Sequence, residues 1–301
     1  MRTALILGCG YVGQRLGRRL SGMDLRVVGT TRSPDRAAEF AAEGIEALVG
    51  ELSDPSMLEK IARLESDIVF YLIPPRPRGA DPLRPVLDAV AMAKPEAFVY
   101  VSATSVYGDR HGDWVDETTP VSPSAGPGMA RHQAERDVIE MTRAGKLPAR
   151  VCRVTGIYGP GRTLRTLLES GDYVLVEGAD AWVNRIHVDD LVTALLASWR
   201  GGADGGLYNL TDDQPHRTSQ FANLAADLHG LPRPRWVSES EATDLLGEAR
   251  LRRKLDSKRV SNRAMKEELG VQLSYPGYET GLPASVVAER KRLGKRVSNT
   301  D

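Results

Sequence analysis

The sequence predicts an α/β protein built on a doubly wound parallel sheet with a small C-terminal lobe, and three observations carry that expectation. Short β-branched runs alternate with helical patterns through the first half of the chain, the pattern of parallel strands joined by crossover helices. The runs are apolar throughout, as strands covered on both faces require. A glycine-rich turn, Gly8-Cys9-Gly10-Tyr11-Val12-Gly13, follows the first run and opens a helical pattern.

Taken in order, strands are expected at residues 4–7, 25–28, 46–49, 68–73, 98–102 and 150–154. Gln14, Leu16 and Leu20 continue the first helix, and Gly22 and Gly44 stand where the first two helices should end. Asp54 is an N-cap with Pro55 at the first helical position, and Met57, Leu58, Ile61 and Leu64 supply the apolar face that follows. The segment Pro74-Pro75-Arg76-Pro77-Arg78-Gly79 admits neither helix nor central strand and is expected to be a loop. A second loop over 121–128, beside Pro120, Pro123 and Pro127, precedes a helix over 129–141. Beyond about residue 155 the alternation fades into mixed helices and short strands, and no internal repeat is visible. The expected strand order is 3-2-1-4-5-6, with a seventh strand allowed. Residues 1–154 form the sheet domain, completed by parts of 186–210, and residues 155–301 form most of the smaller lobe.

Composition narrows the function. Lys+Arg and Asp+Glu are both 40 in a chain of 301 residues, so no global field favours nucleic acid or an anionic membrane. With 41% hydrophobic and 27% charged residues the chain is globular. No apolar run approaches the roughly 18 residues of a membrane helix. The run ending at Leu7 precedes Arg15, Arg18 and Arg19, the wrong order for a signal peptide, so a cytoplasmic location is expected. Cys9 and Cys152 are too few for a disulfide framework or a cysteine metal site, and both sit in apolar strand-like contexts.

The glycine turn has a physical division of labour: the first glycine permits the turn, the second lets a pyrophosphate approach bare backbone, and the third lets helix and strand pack closely. In its strand-turn-helix setting it predicts a dinucleotide-binding, Rossmann-type domain. After the second strand an NAD-preferring site places an acid against the ribose 2′-hydroxyl. Here the chain has Thr30-Thr31-Arg32-Ser33, and no acid before Asp35. A guanidinium with neighbouring hydroxyls suits a 2′-phosphate, so NADP is the expected cofactor and NAD the alternative.

Further stretches resemble the extended short-chain dehydrogenase/reductase superfamily, which includes nucleotide-sugar epimerases and dehydratases. They are Gly50 to Asp54 (GELSD), Val99 to Gly108 (VYVSATSVYG), Arg153 to Gly161 (RVTGIYGPG), Asn184 to Leu191 (NRIHVDDL), Tyr208-Asn209-Leu210 and Lys258 to Gly270 (KRVSNRAMKEELG). The resemblance implies an acid at Glu51, flanked by Leu52, facing the adenine. It identifies the chain as similar to the atypical members that keep the glycine loop and lose the active-site tyrosine. The family's serine or threonine, tyrosine and lysine align with Ala103, Pro127 and Arg131. No tyrosine lies between Tyr107 and Tyr158 and no lysine between Lys94 and Lys146, so no YxxxK pair can be restored.

The expected cofactor set is therefore Gly8, Gly10, Tyr11, Val12, Gly13, Thr30, Thr31, Arg32, Glu51, Leu52, Ile73 and Ser102. Tyr107 is the nearest remaining phenol and a weak candidate acid, set against a purely structural role; His111 and His132, in or beside the loop over the nicotinamide, are the other candidates for a general acid. His187 with Asp189 and Asp190 suggests a metal pair less well than a capped helix start, and no metal is expected. His111 and His132 are expected to be solvated. Arg250, Arg252, Arg253 and Lys254, or the basic tail from Arg290 to Arg296, either meet a substrate diphosphate or form solvated faces. The expected function is an NAD(P)-dependent oxidoreductase or isomerase acting on a small polar or nucleotide-linked substrate through a non-standard acid/base. The alternative is a non-catalytic NADP-binding sensor or regulatory protein. A homodimer through the helices after strands four and five is a further expectation.

Overall fold

The computed structural model describes residues 1–75, 81–123 and 126–297, with side chains described through residue 291. Arg76 to Gly79 of the proline-rich loop lie outside the described residues, as do the side chains of the basic tail beyond Lys291. The strands β1 (Thr3–Leu7), β2 (Arg26–Thr31), β3 (Glu46–Val49), β4 (Ile68–Tyr71), β5 (Ala97–Ala103), β6 (Ala149–Val154) and β7 (Leu207–Leu210) form one sheet. They lie in the order β3-β2-β1-β4-β5-β6-β7, every pair parallel. The seventh strand is thus realised, and the order reverses between β1 and β4, the place where open α/β sheets bind ligands.

Alternation along β1 explains the two helical layers. Ala4 and Ile6 pack with Leu16 and Leu20 of α1 (Tyr11–Ser21), Phe40 of α2 (Arg36–Ala42), and Leu191 and Leu195 of α6 (Val188–Gly201). Leu5 and Leu7 point oppositely, toward Met57 and Ile61 of α3 (Pro55–Arg63), Val86 and Val90 of α4 (Leu83–Met92) and Val138 of α5 (Gly126–Arg143). The N-cap of α3 is Asp54, whose carboxylate accepts from the Ser56 N–H at 2.9 Å, with Pro55 opening the helix. Gly22 closes α1, and Gly44 takes the left-handed conformation (φ +72°) just past α2.

Three boundaries differ from the sequence expectation. β2 continues to Thr31 because its ladder to β3 runs as far as Thr31 opposite Val49. β4 stops at Tyr71, leaving Ile73 in the following loop. α5 begins at Gly126 and runs to Arg143, because Pro127 sits in its first turn, where a missing N–H costs no helical hydrogen bond.

In the C-terminal part, helices Thr218–His229 and Tyr278–Val297 enclose Tyr158, Phe221 and Leu282. A second apolar cluster gathers Val174, Val176, Val237, Ala242 and Leu251. Both cysteines are buried and unpaired, and burial pushes each thiol up to about 12. Among the described residues, no helix is long and apolar enough to cross a membrane.

Candidate active-site cleft

A cleft of about 870 Å³ opens at the carboxyl edge of the sheet. Its first wall is the glycine turn. Gly8 has φ +91°, and a Cβ there would stand 2.6 Å from Ile73 Cγ1, so only glycine fits. A Cβ on Gly13 would meet the Gly8 carbonyl at 2.9 Å and Ile6 Cγ2 at 3.1 Å, which is the close approach of α1 to β1. Gly10 is different. Nothing but the Gly8 carbonyl, at 4.0 Å, lies near its missing Cβ. Its constraint is therefore not internal packing but open space above bare backbone. Gly10 is also the N-cap of α1 and offers no side-chain cap, and the first turn carries no acid. The leading N–H groups and the positive end of the helix are left for an anion.

The end of the cleft beside β2 and β3 carries Arg32, Ser33, Arg36, Glu51 and Leu52. The Arg32 side chain is 75% exposed and its guanidinium lies 3.6 Å from the Glu51 carboxylate. The two threonines have internal duties. Thr30 Oγ1 accepts from the Gly8 N–H at 2.9 Å, fastening the glycine turn to β2. Thr31 Oγ1 accepts from the Ser33 N–H at 3.2 Å, shaping the turn that presents Arg32.

At the opposite end the floor is Val101, Ser102, Ala103, Arg131, Val154 and Thr155. Ser102 donates to Glu135 Oε1 at 2.6 Å, and Glu135 is bound by Arg153 through Nη2 at 2.8 Å and Nε at 3.1 Å. This ion pair is fully enclosed, so it holds Ser102 in one orientation. Arg131 replaces the lysine with a side chain whose one described hydrogen bond runs to the Pro127 carbonyl, at 3.4 Å.

The cleft gathers all of the expected cofactor residues from Gly8 to Ser102, together with Ala103 and Arg131. Tyr107 is corrected. It is absent from the lining, it is fully buried, and its hydroxyl donates to Asn209 Oδ1 at 2.8 Å. The Arg153 guanidinium lies over its ring at 4.8 Å, and burial pushes the phenol above its ordinary value. A sealed phenol of that kind cannot exchange a proton with a cleft ligand. Pro127 is likewise not part of the lining.

His111 is exposed beside Asp109, and neither it nor half-buried His132 lines the cleft. His187 is buried and caps α6, its Nδ1 accepting from the Asp189 N–H at 3.2 Å. Asp190 does more than complement a dipole. Its enclosed carboxylate accepts from the Ser274 and Tyr275 N–H groups at 2.8 and 2.9 Å, tying the C-terminal segment to α6. Among the described residues, no three His, Cys, Asp or Glu side chains are grouped to hold a metal.

Two cleft residues escape sequence reasoning. Arg36 opens α2 just after the turn that presents Arg32, where a solvated face is the ordinary expectation. Arg162 comes from far along the chain to lie 4.3 Å over the Tyr11 ring, while the Tyr11 hydroxyl donates to the Pro160 carbonyl at 3.1 Å. The only local signal was its place directly after the YGPG run.

Comparison with known proteins agrees with this fold. The chain is 36% identical to a functionally unknown conserved protein from Silicibacter pomeroyi DSS, with a TM-score of 0.83 over 96% of this chain and 99% of that one. It is 23% identical to Protein YeeZ of Escherichia coli (strain K12) over 289 residues, 92% of this chain and 97% of that protein. The fold is shared with DesIV, a dTDP-glucose 4,6-dehydratase from Streptomyces venezuelae solved with NAD and TYD bound, at a TM-score of 0.79 and 18% identity over 98% of each chain. The model of the NAD dependent epimerase/dehydratase family matches residues 4–211. With that match spanning the whole parallel sheet, the chain belongs to the NAD-dependent epimerase/dehydratase family.

Proposed function

We propose that the chain binds NADP in this cleft and performs hydride chemistry on a small polar substrate, as an oxidoreductase or isomerase of the epimerase/dehydratase type. The observation that carries the reading is a single continuous cleft joining the uncapped start of α1, the Arg32 end and the Ser102-Ala103-Arg131 floor. A dinucleotide needs donors for its pyrophosphate in the middle, a cation for a 2′-phosphate at one end, and a floor for the nicotinamide and its reaction partner at the other. The DesIV structure with NAD bound supports the cofactor class. Arg32 and Arg36 at one end of the cleft favour NADP over NAD, because the turn directly after β2, where an NAD site places its acid, carries Arg32 instead.

Ala103 and Pro127 bring no exchangeable proton, and arginine does not deprotonate. Tyr11, the one tyrosine among the described lining residues, stands at the glycine turn with its hydroxyl engaged. The proton of the reaction is therefore assigned to solvent or to the substrate itself. The triple replacement favours a second reading, a sensor that binds NADP without turnover. Screening ketones and nucleotide sugars with NADPH and NADP separates the two. The proposal expects turnover that survives Tyr107→Phe; binding of NADPH without turnover of any class favours the sensor.

A further inference from the structure

Four arginines line the described cleft. Arg32 faces Glu51 and Arg36 faces Glu39, each at 3.6 Å, and Arg162 lies over the Tyr11 ring at 4.3 Å. Arg131 alone has neither carboxylate nor aromatic ring against it among the described residues; its one hydrogen bond is to the Pro127 carbonyl a turn earlier. The flanking hydroxyls are already oriented. Ser102 donates inward to Glu135 at 2.6 Å and Thr155 donates to the Leu210 carbonyl at 3.3 Å. Toward the cleft both offer lone pairs only. The floor thus presents one cation flanked by two acceptors.

We propose that Arg131 is the anion-binding residue of the substrate subsite, holding a carboxylate or phosphate of the substrate while Ser102 and Thr155 accept hydrogen bonds from its hydroxyl or amide groups. This rests on the dinucleotide reading of the cleft and adds the substrate's chemical class. A planar guanidinium presents two parallel N–H groups to an oxyanion, which a lysine at the same place does not. Among the described residues only the buried Tyr100 hydroxyl offsets the charge, and it carries no formal charge of its own. Burial already disfavours it, and Arg253 on helix Glu248–Leu255 opposes it from the other lobe. An incoming oxyanion relieves both penalties.

The test uses the full chain with and without NADPH, titrated by calorimetry with oxalate and, separately, with inorganic phosphate. Saturable binding of at least one probe is expected, weakened tenfold or more in Arg131→Gln and partly retained in Arg131→Lys, the range expected for hydrogen bonds to charged groups. The preferred probe tells carboxylate-bearing from phosphate-bearing substrates. NADPH affinity should fall less than probe affinity in Arg131→Gln, with the melting temperature reporting that the variant folds. Equal probe binding by wild type and Arg131→Gln, or none by wild type, overturns the proposal. A large loss of NADPH affinity in Arg131→Gln also overturns it, since Arg131 would then serve the cofactor. Failure of the wild type to bind NADPH refutes the dinucleotide reading instead, and the titration without NADPH still decides the subsite.

Discussion

Arg32 and Glu51 stand 3.6 Å apart with 75% and 48% of their side chains exposed. A pair so exposed contributes about 0–1 kcal/mol, so on the NADP proposal it should not hold the guanidinium back from a doubly charged 2′-phosphate. Arg32→Ala is expected to weaken NADP by about 1.5–3 kcal/mol while NAD changes little. The difference should shrink with salt, because that end is open to solvent. Equal losses for both dinucleotides would make Arg32 a loop residue only. Asp212 is the residue whose titration should govern stability. It is 2% exposed, its Oδ1 accepts from the Gln214 N–H at 3.2 Å, and its Oδ2 has no hydrogen-bond partner. Burial pushes it up to about 8. Between the ordinary carboxylate value of about 4 and that raised one, the unfolded chain is ionised while the folded chain keeps its proton. Stability therefore falls as pH rises through this window. Melting curves at pH 5 and pH 8 should show a larger loss for wild type than for Asp212→Asn; parallel losses would mean that Asp212 is ionised when folded.

Elements differ in how much of them local chemistry determines. α1 and α3 were legible because each carries its own start signal: the glycine turn for one, Asp54 with Pro55 for the other. The sheet order was legible because crossover connections leave few right-handed arrangements. The end of β2 was not. Whether Thr30 and Thr31 face a ligand or the protein depends on pairing with β3, and that pairing places their hydroxyls on Gly8 and Ser33. α5 shows the same limit at its core face. Glu135 on this helix reads as solvated in isolation, and only the arrival of Arg153 from β6 and Ser102 from β5 turns it into a buried anchor. For Tyr107 the sequence leaves a structural and an acid role open for a matching reason: Asn209, the partner that fills the structural role, is contributed by β7 from a hundred residues away.

At the scale of the molecule, the cleft belongs to no single element. The uncapped start of α1, the turn after β2 and the floor after β5 meet because the strand order reverses between β1 and β4. Every expected cofactor residue lies between Gly8 and Ser102, where the motifs are contiguous. The other end of the cleft draws on Arg131, Thr155, Ile157 and Arg162, from α5 and the segment after β6, and its polar character is readable only from hydrogen-bond directions that the sequence does not show. The account stands on that cleft holding a dinucleotide with its pyrophosphate over Gly10. Calorimetric titration of wild type and Gly10→Val with NADP tests this directly. Gly10 has free space at its missing Cβ, but its φ −92° and ψ −143° lie outside the α and β regions, so the melting curve of the valine variant must show that the fold is kept. Saturable binding by wild type, abolished in a Gly10→Val protein that still melts cooperatively, is the predicted result. Undiminished affinity in the variant, or no binding by wild type, would contradict it and leave the glycine turn as a turn alone.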